Sequence, residues 1–133
     1  MKVAELMQPN VRTISSEARV TEVVMSLADA HISGLPVVDK VGRILGVVSA
    51  TDVLTAEAEA ETLTMGRDLM EETSVREIMT PRPYTVAPDE DVREAARQML
   101  YAEVHRLFVA EGDRLVGVIS TTDIVRAVAT GKL

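Results

Sequence analysis

Cysteine and tryptophan are absent from this chain of 133 residues, and only Tyr84, Tyr101 and Phe108 are aromatic. The missing thiols exclude a disulfide framework, a thiolate zinc site, an iron–sulfur cluster and a cysteine nucleophile. Two histidines, His31 and His105, are too few and too far apart for a zinc site, so no metal is expected. Basic residues are also in deficit: 14 Lys and Arg stand against 21 Asp and Glu, a net charge of −7. Such a chain is poorly equipped to neutralise phosphates and stack bases, and nucleic acid is not an expected partner. No apolar run nears the roughly 18 residues that a membrane span needs, so no membrane association is expected. The opening Met1-Lys2-Val3-Ala4-Glu5 carries an acid where a signal peptide would place its apolar stretch. A cytoplasmic protein is therefore expected. Against these deficits, 47% of the residues are hydrophobic and 26% charged, which suits one compact domain or two small halves.

What the chain does contain is itself, twice. At a shift of 72, Val3, Met7, Pro9, Thr13, Val20, Glu22, Ala30, Leu35 and Val37 meet residues of the same type, from Val75, Met79 and Pro81 through to Val109. After a one-residue deletion, Arg43-Ile-Leu-Gly-Val-Val-Ser-Ala-Thr-Asp52 lies over Arg114-Leu-Val-Gly-Val-Ile-Ser-Thr-Thr-Asp123, identical at six of ten positions.

Each copy reads in the same order. A short amphipathic opener (Val3–Met7, Val75–Met79) ends at Pro9 or Pro81, and an extended piece follows at Arg12–Ile14 or Tyr84–Val86. A helix comes next, its apolar face drawn by Val20, Val23, Val24, Leu27 and Ala28, or by Val92, Ala95, Ala96, Met99 and Leu100. Ser16 and Asp89 are its candidate caps. Two β-branched runs follow (Leu35–Val38 with Ile44–Ser49, Leu107–Val109 with Leu115–Ser120), with Gly42 and Gly112 in the turns. A last helix starts near Thr51 or Thr122. The expected fold is α+β: two β-α-β-β-α repeats, residues 1–54 and 75–133, packed sheet to sheet with pseudo-two-fold symmetry. Each repeat alone buries too little apolar surface to be stable. Residues 55–74 read as a helical linker, because the run Ala56-Glu-Ala-Glu-Ala-Glu61 favours helix.

The recurring polar motif is Ser-x-x-Asp, at Ser49–Asp52 and Ser120–Asp123. Read from the residues alone it is a capping box, in which Ser caps the last helix and Asp reaches back to the cap's amide. No Gly-x-Ser-x-Gly, Walker loop, His-Glu-x-x-His or Gly-x-Gly-x-x-Gly is present, so no catalytic residue is assigned and an enzyme is not expected.

The chain resembles a tandem pair of cystathionine-β-synthase (CBS) domains, a Bateman module. The resemblance rests on Gly46-Val-Val-Ser49-Ala-Thr51-Asp52 and Gly117-Val-Ile-Ser120-Thr-Thr122-Asp123. It is supported by Met79-Thr-Pro81, Ser33-Gly-Leu-Pro-Val-Val-Asp39 and His105-Arg-Leu-Phe-Val109. Met7-Gln8-Pro9, where the pattern has Met-Thr-Pro, and Ala110-Glu111, where it has Val-Asp, depart from it. The resemblance implies that each Asp accepts hydrogen bonds from ribose hydroxyls while the neighbouring Ser or Thr faces phosphate. Helix starts offer free amides to phosphate, and a short carboxylate can grip a cis-diol with both oxygens. It further implies a cleft shared by the copies, with two mouths. One combines Ser49, Thr51 and Asp52 with Tyr84, Thr85, Val86, His105 and Arg106. The other combines Ser120, Thr122 and Asp123 with Thr13, Ile14, Ser33 and Gly34. Gly34 stands where the second copy has Arg106, so only the Asp52 mouth carries a guanidinium for phosphate. With so few aromatics, a base would rest between aliphatic walls: Val86, Ile14, Ile119 or Val48.

The resemblance therefore implies a stand-alone regulatory module that binds AMP, ADP, ATP or an adenosyl compound such as S-adenosylmethionine, with no required cofactor. A homodimer through the helices and an unidentified protein effector are the partners it implies. The rival reading is a ligand-free dimerisation scaffold, with the Ser-x-x-Asp pairs acting only as helix caps.

Overall fold

The computed structural model describes residues 1–63 and 66–133, so residues 64–65 of the expected linker lie outside the described residues. The chain divides into two compact units, Arg12–Pro83 and Met1–Val11 with Tyr84–Leu133. The repeat divides the sequence and the packing divides it differently: each opener is built into the unit of the other copy.

In the Arg12–Pro83 unit, β1 (Ile14–Ser15) leads into α1 (Val20–Ala30), which carries the chain to β2 (Gly34–Val38). β2 runs parallel to β1, a pairing that needs a crossover such as α1. β3 (Ile44–Ser49) returns antiparallel to β2. Their turn is tied by Asp39, whose carboxylate accepts the Arg43 and Val41 amides, each at 3.0 Å, and Arg43 Nε at 2.7 Å. Those donors, led by the Arg43 amide, hold the Asp39 carboxyl below its usual value. α2 (Ala50–Ala58) and α3 (Ala60–Leu63) take up the Ala/Glu-rich start of the linker as helix. After α4 (Leu69–Glu72), the second copy's opener forms α5 (Val75–Ile78) and β4 (Thr80–Pro81), which adds a fourth strand beside β3. Ile14, Val20, Val23, Leu35, Val37 and Val48 form this core together with Leu69, Val75 and Ile78.

The other unit repeats the plan. β5 (Thr85–Val86), α6 (Val92–Ala102), β6 (Arg106–Glu111), β7 (Arg114–Ser120) and α7 (Thr121–Ala129) form a sheet ordered β5-β6-β7 with two helices. Here the first copy's opener is a 3-10 turn at Val3–Glu5, and Gln8 bridges Val118 of β7. Val3 is fully buried in this core with Val86, Ala95, Met99, Leu107, Val109 and Ile119.

Two expectations about helix caps fail. The cap residues are Arg19 and Asp91, not Ser16 and Asp89. The first amide of α1, on Val20, donates to Thr73 O at 3.0 Å, and that of α6, on Val92, donates to Met1 O at 2.9 Å. A backbone carbonyl two residues ahead of the opener thus satisfies a donor that a helix start leaves free. Ser16 is instead held to the sheet, its amide donating to Val38 O at 3.1 Å. The expected apolar helix faces are also wider than the sheets cover: Ala28 is exposed, and Leu100 is 79% exposed.

Close approach of the openers depends on the repeated glycine of the last strand. A Cβ on Gly46 would lie 2.6 Å from Thr80 O and 2.9 Å from Met79 Sδ. On Gly117 it would lie 2.7 Å from Met7 Sδ and 3.0 Å from Gln8 O. Both copies therefore use a missing side chain to seat a Met-x-Pro segment.

Candidate functional site

Each candidate site forms where the copy's last strand turns into its last helix. Ser49 and Ser120 keep extended backbone and cap α2 and α7. Ser49 Oγ accepts the Asp52 amide at 3.1 Å, and Asp52 Oδ2 accepts the Ser49 amide at 2.9 Å and its hydroxyl at 3.1 Å. In the second copy the Asp123 amide donates to Ser120 Oγ at 3.2 Å, while Asp123 Oδ2 accepts the amide at 2.8 Å and the hydroxyl at 2.9 Å. The reciprocal capping box that the spacing predicts is present twice.

That box engages one carboxylate oxygen and leaves the other facing the opener. Asp52 Oδ1 accepts Thr80 Oγ1 at 3.1 Å. Asp123 Oδ1 accepts Gln8 Nε2 at 3.3 Å and lies 3.6 Å from Arg126 Nη1. Asp123 is buried and Asp52 half-buried. Thr80 and Gln8 are the middle residues of the two Met-x-Pro segments, and sequence reasoning assigned them no role. The signal was there, in a repeated Met-x-Pro whose single variable position changes between the copies.

The structure brings together the expected residues of each copy's own strand ends. In the Arg12–Pro83 unit, Gly34 is the register partner of Ser49, and the Ala50 amide donates to Ser33 O at 2.9 Å. Thr13 and Thr51 are exposed in this unit, and Ile14 pairs with Val37. In the other unit Arg106 is the register partner of Ser120, and the Thr121 amide donates to His105 O at 2.9 Å. Tyr84 is 62% exposed, and Thr85, His105, Arg106 and Thr122 are exposed too. The Arg106 side chain makes no ion pair or hydrogen bond among the described residues, so its charge faces solvent.

The expected aliphatic walls are corrected. Val48 and Ile119 are 0% exposed, Val86 is 2% and Ile14 is 7% exposed, because all four side chains point into their own unit's core. Val48 and Ile119 share this inward face with their register partners Leu35 and Leu107, which are buried as well.

Among the described residues no group of three or more acidic, His or Cys side chains could hold a metal, and no helix is long and apolar enough to cross a membrane.

Comparison with known proteins gives this geometry its context. A zinc metalloprotease of Methanocaldococcus jannaschii is 30% identical over 97% of this chain, but the chain spans only 32% of that protein. The chloroplastic CBS domain-containing protein CBSX2 of Arabidopsis thaliana is 26% identical over 94% of the chain and 62% of its own length. The chain thus spans less than half of the first curated relative it matches and under two thirds of the second. Among solved structures, CBSX2 in complex with AMP superposes with a TM-score of 0.84 at 27% identity, over 99% of this chain and 98% of that one. The CBS domain pair of protein MJ0100, in complex with 5-methylthioadenosine and S-adenosyl-L-methionine, gives 0.76 at 25% identity, covering 99% and 98%. The model of the CBS domain matches residues 3–59 and again 75–130. Two β-α-β-β-α repeats, each ending in the same capped strand-to-helix turn, accordingly belong to the CBS domain family, as a pair of CBS domains.

Proposed function

We propose that this CBS pair is a regulatory module that binds an adenine nucleotide (AMP, ADP or ATP) or a related adenosyl compound and passes its bound state to a partner protein. The observation that carries the reading is the duplicated carboxylate, on Asp52 and Asp123. In each, Oδ2 is engaged by the capping box and Oδ1 is held only by side chains, which a ligand hydroxyl can replace. A carboxylate offers about four lone-pair positions, so capping and diol binding are compatible. The adenosyl ligands of CBSX2 and of the MJ0100 pair support the ligand class.

In this reading Ser49, Thr51 and Asp52 share a ligand with Tyr84, Thr85, the backbone of Val86, His105 and Arg106. Ser120, Thr122 and Asp123 share the other with Thr13, the backbone of Ile14, Ser33 and Gly34, since the Val86 and Ile14 side chains are buried in the cores. The exposed guanidinium of Arg106 gives the Asp52 mouth the stronger hold on phosphate. Gly34 tests that assignment well, because a Cβ there meets only ordinary contacts, the nearest being Val48 O at 3.4 Å. Binding without turnover, action in the cytoplasm and pairing of two copies through the helices complete the proposal.

Thermal-shift titration with AMP, ADP, ATP, GMP, GTP and S-adenosylmethionine, on protein stripped of co-purified ligand, is the test. A true ligand at a hundred times its dissociation constant adds about 2.7 kcal/mol of stability, and Asp52→Asn and Asp123→Asn should each remove their share of that shift. Both variants also lose capping bonds, so the ligand-dependent shift, not the stability of the free protein, is the readout. The complete capping boxes favour one rival, a ligand-free scaffold. No shift with any compound would establish that rival and end the nucleotide reading.

A further inference from the structure

The two copies differ at the one carboxylate oxygen that the capping box leaves available. On Asp52 that oxygen accepts a single hydroxyl, from Thr80 at 3.1 Å. On Asp123 it accepts the Gln8 amide at 3.3 Å and has the Arg126 guanidinium at 3.6 Å. Two positions that differ between the repeats therefore converge on one atom: Gln8 where the second copy has Thr80, and Arg126 where the first has Thr55. Thr80 can rotate its hydroxyl, donating to the carboxylate or accepting from a ligand. A guanidinium only donates, and the Gln8 amide offers an acceptor only by turning its NH2 away from Asp123, so neither frees the oxygen while keeping its contact. The Gln8 backbone is fixed by a reciprocal pair with Val118 (2.8 and 3.0 Å), so only its side chain can withdraw.

We propose that Gln8, assisted by Arg126, is the residue that sets diol affinity at Asp123, making this the weaker of the two mouths. The proposal rests on the reading of both aspartates as ribose-binding groups. A ribose hydroxyl at Asp123 Oδ1 has to compete with the Gln8 amide and the Arg126 guanidinium for that oxygen, whereas at Asp52 it meets only the Thr80 hydroxyl, which can remain beside the ligand. The Arg126 charge, already paired with Asp123, is not available to a phosphate without breaking the same ion pair. The asymmetry is thus written into the Met-x-Pro segment, independently of the Arg106 and Gly34 difference.

The test uses the full chain, isothermal titration calorimetry, and AMP, 2′-deoxy-AMP and S-adenosylmethionine as probes. Asp52→Asn isolates the Asp123 mouth, and Asp123→Asn isolates the other. In the Asp52→Asn background, Gln8→Thr should tighten AMP binding about tenfold, the order expected when one charge-assisted competitor is removed. The gain should be much smaller for 2′-deoxy-AMP, which lacks the diol. In the Asp123→Asn background, Thr80→Gln should weaken AMP by a similar factor. Gln8→Ala, which also removes the competitor, serves if Gln8→Thr folds poorly. In ¹⁵N-resolved NMR spectra of the otherwise native chain, the Gln8 side-chain amide signals should move when the Asp123 mouth fills. Unchanged or weaker AMP binding in Gln8→Thr, with Asp123→Asn still binding AMP, overturns this inference and leaves the nucleotide reading standing. Binding of no probe by any variant overturns the reading, and the inference with it.

Discussion

Placing a methyl group on Gly46 tests how the two copies are built into one another. The new Cβ would stand 2.6 Å from Thr80 O and 2.9 Å from Met79 Sδ. Non-bonded heavy atoms rest at about 3.5 Å, so the Thr80 carbonyl must retreat by about 0.9 Å. That carbonyl belongs to β4, which pairs with β3 through Gly46↔Pro81 and Val47↔Thr80. A retreat therefore strains the strand pairing and the Thr80 hydrogen bond to Asp52 together. Overpacking of this kind costs about 1–3 kcal/mol, while Ala offsets about 0.4–1 kcal/mol by restricting the unfolded chain. Gly46→Ala should thus lose about 1–2 kcal/mol net.

At Gly117 the closest atom is the flexible Met7 Sδ, and the backbone oxygen of Gln8 stands off at 3.0 Å. Gly117→Ala should cost about 1 kcal/mol or less. Gly34→Ala, whose nearest contact is an ordinary 3.4 Å, should be neutral or slightly stabilising. Urea unfolding followed by far-ultraviolet circular dichroism suits a chain without tryptophan, and linear extrapolation gives the three free energies. The order Gly46, Gly117, Gly34 is the content of the prediction. If Gly46→Ala were as stable as the parent, or Gly34→Ala the most damaging, seating of the openers against a bare backbone would be wrong.

Two further outcomes follow from local geometry. Glu77 accepts Arg67 Nη2 at 2.9 Å and the Ser74 amide at 2.9 Å, and these donors, the guanidinium first, hold its carboxyl below the usual 4.5. A depressed value stabilises the fold above pH 4.5 and loses that contribution as pH falls through the folded-state value. Glu77→Gln should therefore be less stable than the parent at pH 7, with the gap closing in acid; a gap independent of pH refutes the assignment. Glu103 ends α6 in the left-handed region at φ 56. A side chain there costs about 1–2 kcal/mol, so Glu103→Gly should gain about 0.5–1 kcal/mol after the added unfolded-state entropy. A Tm unchanged or lowered in a thermal melt would count against it.

Much of this molecule is written in short-range patterns. The period of Val20 and Val23, or of Val92, Ala95 and Met99, announces helices whose inner faces are buried as expected. The β-branched runs become β2, β3, β6 and β7 within a residue or two. The capping boxes are legible because a Ser and an Asp three residues apart meet through the geometry of a single helical turn. Ser16 and Asp89 misled because the helices start later than they imply, at Val20 and Val92, with Arg19 and Asp91 at the cap positions and the Thr73 and Met1 carbonyls on the first amides. Propensity is local, and those carbonyls arrive from far along the chain.

By itself, the sequence determined the repeat, the order of elements in each copy, and the two carboxylates with their caps. All of these depend on residues within a few positions of one another, or on plain internal identity. Only the tertiary structure decided which copy's core receives each opener, why Gly46 and Gly117 must lack a side chain, and what holds the second oxygen of each aspartate. Thr80 and Asp52 are 28 residues apart, and Gln8 and Asp123 are 115 apart. No periodicity spans such distances. Their meeting follows from an opener crossing to the other copy's last strand, a choice made by packing.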